Sequence, residues 1–162
     1  MPPLNEEGVS QAKEAAEKLK EVNFDLVVSS DLIRAKHTAE IINNLFSKPL
    51  EIFSNFRERD FGSLGGKTWE EIGRETGLGS EGVRKEDLEQ RYNYRLFGGE
   101  SAEDVKNRLE QGLSLLKKKH ADKRILLVAH GGIIRLMHHL HTEEPDEDHK
   151  MPKNASLHYF SL

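Results

Sequence analysis

The chain has 162 residues, no cysteine, 24 Lys and Arg against 28 Asp and Glu, and a formal net charge of −4. Without cysteine there is no disulfide, thiolate nucleophile or thiolate-ligated metal, and a mildly acidic chain lacks the basic footprint of a general nucleic-acid binder. No apolar run approaches the ~20 residues that span a bilayer, and the start, Met1-Pro2-Pro3-Leu4, has no signal-peptide pattern, so a cytoplasmic chain with neither nucleic acid nor membrane as partner is expected.

Val9, Ala12, Ala16, Leu19 and Val22 fall at helical spacing among Lys and Glu residues and predict an amphipathic helix. Phe24-Asp25-Leu26-Val27-Val28 is short, apolar and β-branched at its end, which predicts a buried strand. Ser29-Ser30-Asp31 offers an N-cap to the next helix, carried by Leu32, Ala35, Ala39, Ile42 and Leu45, and residues 50–53 predict another strand. This succession marks a parallel sheet covered by helices.

Gly62, Gly65 and Gly66 predict a loop, and Thr68-Trp69-Glu70-Glu71 has the form of a capping box opening a short helix. Glycines at 73, 77, 79 and 82 weaken helix there, and the polar residues 85–95 read as an exposed excursion. Ser101 with Asp104 opens a long helix striped by Val105, Leu109, Leu113 and Leu116, and Lys117-Lys118-Lys119 complements the dipole in its last turn. Arg124-Ile125-Leu126-Leu127-Val128-Ala129 predicts a central parallel strand buried on both faces. His130-Gly131-Gly132 ends it, a helix follows over 133–140, and the alternating residues 155–162 predict an edge strand. No repeat or linker interrupts the chain, so residues 1–162 read as one α/β domain.

Ligands of an open α/β sheet sit beyond the carboxyl ends of its strands. Two such ends carry unusual polar residues, Ser29 to Arg34 and His130-Gly131-Gly132. The glycines either let backbone N–H groups approach an anion at a helix start or merely make a tight turn. Arg34 is suited to phosphate by its planar fork, or is a surface arginine. Arg57-Glu58-Arg59-Asp60 holds a carboxyl that is either a proton donor or part of a solvated charge cluster.

Taken together, four segments resemble the histidine phosphatase superfamily in its phosphoglycerate-mutase-like branch. They are Pro3 to Ala12, Ser29 to Ala39, Arg57 to Gly66 and Val128 to Arg135, with Gly99-Glu100-Ser101 as a fifth point of likeness. The resemblance implies a three-layer α/β/α fold with a mostly parallel sheet. It implies a small phosphorylated substrate and a phosphohistidine intermediate that water hydrolyses. Arg34 matches a phosphate-clamping arginine, His130 the second histidine that donates to a phosphoryl oxygen, and Glu58 the acid that protonates the leaving oxygen. Gly131 stands with His130 as a substrate-binding position. No cofactor or metal is required in this scheme.

The Arg-His-Gly of the family, which carries the nucleophilic histidine, has no counterpart in these residues. The expectation is an N-terminally truncated phosphatase that lacks the first strand and either dissolves poorly or forms a homodimer through the gap. The alternatives are a catalytically dead module that binds phosphate esters or proteins, and a mutase-type phosphotransferase. The modest length of residues 67–98 favours a phosphatase over a mutase. In that stretch Arg84, Arg91 and Arg95 either contact a second anion or form a solvated face. A last reading is a metal site built from His138, His139, His141 and His149 with Asp146 and Asp148.

Overall fold

The computed structural model describes residues 3–141 and 152–161. The chain divides into two compact units, one formed by Met1–Glu58 with Leu109–Leu162 and the other by Arg59–Arg108.

The first unit is an α/β layer structure. Helix α1 (Glu6–Lys18) begins at Asn5, whose side chain accepts the Gly8 N–H at 2.9 Å, and buries Ala12, Ala15 and Ala16. Strand β1 (Leu26–Ser29), helix α2 (Ile33–Phe46) and strand β2 (Leu50–Ile52) follow. Strand β3 (Ile125–Val128) and helix α6 (Gly131–His141) complete the unit, and helix α5 (Ala102–Lys119) runs between the two units in sequence. The three strands are parallel in the order β2-β1-β3.

Register assigns the faces. Val27 lies level with Leu50 and Leu126, and Ser29 with Val128. Val27 belongs to a core with Ala15, Ala16, Leu19, Phe24, Ala39 and Ile42, against which Leu50, Leu126 and Val128 pack. This face is therefore covered by α1 and α2. Glu51 points the other way and bonds Lys119 Nζ of α5 at 2.9 Å. All four β1 residues are buried, as a strand covered on both faces requires.

Three expectations change here. The central strand is β1, while β3 pairs with β1 alone among the described residues and is half-buried. An apolar run signals a sheet core but does not give the position of a strand within it. Residues 155–161 form no strand; instead Ala155 and Leu157 lie against the α1–α2 core. The N-cap of α2 is Leu32 with no side-chain cap, because Ser29 and Ser30 are fully buried and Asp31 is engaged by Arg57.

The second unit holds α3 (Trp69–Thr76) and α4 (Gly79–Leu88), with short 3-10 turns at Gly62–Leu64 and Arg95–Phe97. The capping box at Thr68 and Glu71 is present in both directions. Gly73 has no room for a Cβ, because the backbone of Gly79 and Ser80 passes there. Residues 85–95 are less exposed than their polarity suggests: Asp87, Tyr92 and Tyr94 are buried. Arg59 is the reason. Its guanidinium pairs with Asp87 and lies 4.8 Å from the Phe61 ring and 4.9 Å from the Tyr92 ring. No helix among the described residues is long and apolar enough to cross a membrane.

Candidate active site

The carboxyl ends of β1 and β3 lie side by side, so the segments that follow them meet. Arg34, in the first turn of α2, directs Nε to His130 Nδ1 at 3.5 Å. With Arg34 as donor, Nδ1 is the acceptor, and the ring proton belongs on Nε2. That nitrogen faces Ser30 Oγ at 3.0 Å. Ser30 Oγ also accepts the Leu32 N–H at 3.2 Å, which anchors the hydroxyl beneath the ring. His130 itself is buried.

Glu58 reaches the same end of the sheet from the loop after β2. Its Oε2 accepts the Gly132 N–H at 3.1 Å, in the first turn of α6. A carboxylate there lies at the positive end of the helix dipole. Gly132 must be glycine for this contact, since an added Cβ would overlap the Glu58 carboxyl group. Gly131 opens α6, and a Cβ added there would meet nothing within 4 Å. Arg34, Glu58, His130 and Gly131 thus share one end of the first unit. His37 is half-buried on α2.

In the run Arg57-Glu58-Arg59-Asp60 the first and last residues are exposed and Arg59 is buried, and each charge has its own partner. Arg57 forks onto Asp31, Glu58 takes the Gly132 N–H, Arg59 enters the core of the second unit, and Asp60 Oδ1 accepts the Gly62 N–H at 2.8 Å. The Arg57 hydrogen bond holds the Asp31 carboxyl below its ordinary pKa. Sequence reasoning missed Ser30, Asp31 and Arg57. A signal existed: Ser30 and Asp31 sit in the same strand-end segment as Arg34, and Arg57 adjoins Glu58.

Other expectations resolve differently. Arg91 pairs with Glu86 and Glu89, and Arg95 forks onto Asp104 at 2.8 and 2.6 Å, so both are occupied within the second unit; Arg84 is exposed. Of the histidines read as metal ligands, His138 is buried and shares a 2.8 Å hydrogen bond with His158 Nδ1, and its ring packs on Phe160. His158 Nε2 in turn meets Ser156 Oγ at 2.7 Å. No group of three or more His, Asp or Glu side chains is gathered among the described residues. Asp146, Asp148 and His149 lie outside them. A hollow lined by Asn23, Asp25, Lys48 and Arg124 lies at the opposite ends of the strands and holds none of the site residues.

A strand-end histidine beside an arginine, with a loop carboxylate against the first turn of the following helix, is an arrangement of charge and donors found at the ligand end of an α/β sheet. The chain belongs to the histidine phosphatase superfamily (branch 1), whose model matches residues 2–162. It is 35% identical over 136 residues to an uncharacterized phosphatase, PhoE, of Bacillus subtilis, covering 83% of this chain and 62% of that protein. It is 35% identical over 148 residues to a metal-independent phosphoserine phosphatase of Arabidopsis thaliana, covering 83% of this chain and 56% of that protein. A solved mycobacterial glucosyl-3-phosphoglycerate phosphatase superposes with a TM-score of 0.73 at 30% identity, over 91% of this chain and 73% of that one. The chain therefore spans about six tenths of the length of the curated relatives it matches.

Proposed function

We propose that this protein is a phosphomonoester phosphatase acting on a small phosphorylated metabolite through a phosphohistidine. The observation that carries the reading is the convergence of Arg34, His130 and Glu58 at the carboxyl ends of β1 and β3.

A bound phosphoryl dianion beside Arg34 and His130 draws a proton onto His130 Nδ1. The resulting imidazolium keeps Nε2–H on Ser30 and donates Nδ1–H to a phosphoryl oxygen, while Arg34 turns its guanidinium to the same group. Fixed donors of this kind stabilise the charge that spreads over the phosphoryl oxygens as the P–O bond breaks. Glu58 as the acid gives a proton to the departing alkoxide oxygen as phosphorus passes to the nitrogen of the accepting histidine, and its carboxylate then takes a proton from the water that displaces that nitrogen from phosphorus. The accepting histidine implied by the family resemblance belongs to an Arg-His-Gly, a tripeptide that does not occur in these 162 residues. Named phosphatases and named mutases both stand among the relatives. The modest stretch 67–98 favours hydrolysis over transfer.

The test is phosphate release. The reading frame upstream of Met1 is sequenced for an Arg-His-Gly after an apolar strand. The longer protein, where one is encoded, and the 162-residue chain are assayed on phosphomonoesters. Turnover that is abolished by His130→Ala and Glu58→Ala supports the reading. Phosphate-ester binding without turnover by either protein replaces it with a binding module.

A further inference from the structure

We propose that Arg57 and Asp31 form a positioning pair that sets where the Glu58 carboxyl group sits. The inference deepens the reading of Glu58 as the acid and rests on it. Arg57 Nε donates to Asp31 Oδ1 at 2.7 Å and Nη2 donates to Oδ2 at 2.5 Å. Two parallel bonds between a planar fork and a carboxylate fix orientation as well as distance.

Both ends of this pair are tied to rigid parts of the first unit. Asp31 directly follows Ser30, which is fully buried and bonded to His130. Arg57 follows Phe56, which is fully buried with its ring where a side chain on Gly112 of α5 would lie. The Arg57 N–H closes the 3-10 turn on Ser54 O at 3.1 Å. The backbone thus leaves Phe56 from a fixed point, and the Arg57 side chain ties it to Asp31, just beyond the end of β1. Glu58 is one peptide further on, and its carboxylate meets Gly132 N–H at 3.1 Å.

The pair is a small part of the stability of the fold. The Arg57 side chain is 53% exposed, and ion pairs at such positions contribute little to folding. Geometry and stability therefore separate in an experiment. The Gly132 amide resonance of the 15N-labelled 162-residue chain reports the Glu58 hydrogen bond, and Glu58→Ala supplies its value without the carboxylate. Arg57→Ala is expected to move that resonance at least about half of the way to the Glu58→Ala value, with melting nearly unchanged. Arg57→Lys, which keeps the charge and loses the fork, is expected to lie between. Asp31→Asn, of nearly the same shape, gives the same displacement and serves if Arg57→Ala fails to fold.

A Gly132 resonance that stays at its wild-type position in Arg57→Ala or Asp31→Asn overturns the proposal, as does one that ignores Glu58→Ala. Where the protein turns over a phosphomonoester, Arg57→Ala lowers kcat about tenfold or more with KM held, because a small displacement of a reacting group is costly. An unchanged kcat overturns the proposal too. If no protein form turns over substrate while the Gly132 resonance moves as expected, the phosphatase reading fails and the positioning pair stands.

Discussion

Glu58 occupies the space that a side chain on Gly132 would need. The Gly132 N–H donates to Glu58 Oε2 at 3.1 Å, and a Cβ on Gly132 would overlap the carboxyl group. Alanine is favoured over glycine in a helix by up to about 1 kcal/mol, so Gly132→Ala does not weaken α6 itself. It displaces Glu58. Kinetics and melting of Gly132→Ala beside the wild type should show phosphomonoester turnover down by about tenfold or more and a melting temperature close to the parent. Equal turnover would separate Glu58 from the chemistry.

Arg34 supplies the cation beside the buried imidazole. Removing it leaves a bound phosphate with one charged donor fewer, a loss of about 1.5–3 kcal/mol for a hydrogen bond to a charged group. Calorimetric titration of Arg34→Ala with inorganic phosphate should give an affinity lower by roughly tenfold or more. Arg34→Lys restores part, since a point charge lacks the fork. Unchanged binding excludes Arg34 from the pocket.

Acid should destabilise the fold through hydrogen-bonded carboxylates, Glu71 with its bonds from Thr68 among them. The Arg57 hydrogen bond lowers Asp31, a hydrogen bond from Lys119 lowers Glu51, and the Arg95 fork takes Asp104 far below the ordinary range. A carboxyl lowered in the folded state stabilises it above the unfolded pKa of about 4, and this contribution is lost as pH falls through the folded value. Melting followed from pH 7 to pH 2 should be nearly level at the top and fall below about pH 4. Asp104→Asn should melt below the wild type near pH 6, and the gap should narrow on acidification. A gap that widens in acid contradicts the assignment.

Thr68 tests the second unit. Its hydroxyl accepts the Glu71 N–H at 3.3 Å, and Glu71 Oε2 accepts the Thr68 N–H at 2.7 Å. Thr68→Ala removes half of this box and should cost about 1 kcal/mol. For a chain of this size the melting temperature should fall by about 2–4 °C, with phosphate affinity untouched.

The order of residues was enough for most patterns that depend on near neighbours. Helical spacing, the box at Thr68 and the strand ends before Ser30 and His130 are local, and the structure shows them there, whereas of the glycines expected to weaken helix at 73, 77, 79 and 82 only Gly77 falls at a break, the others lying within α3 and α4. The motifs that place the chain in its family are contiguous words of this kind. What the sequence could not decide is how charges far apart in the chain divide among partners. In Arg57-Glu58-Arg59 three adjacent charges go to Asp31, to Gly132 and to Asp87. Nothing in their spacing distinguishes them, because each destination lies on a segment brought near only by folding.

The same holds for strand position. The run 125–128 is apolar enough for a sheet centre, yet it is β1 that pairs on both sides among the described strands. An alternating polar segment such as 155–161 likewise becomes a strand only where an open strand edge meets it in register, and here it lies on the α1–α2 core without one. Local backbone preference acts over a few residues and can be read along the chain. Pairing, burial and electrostatic partnership depend on separations that exist only in the folded molecule, and they determine how Arg34, Glu58 and His130 come to share one end of the sheet.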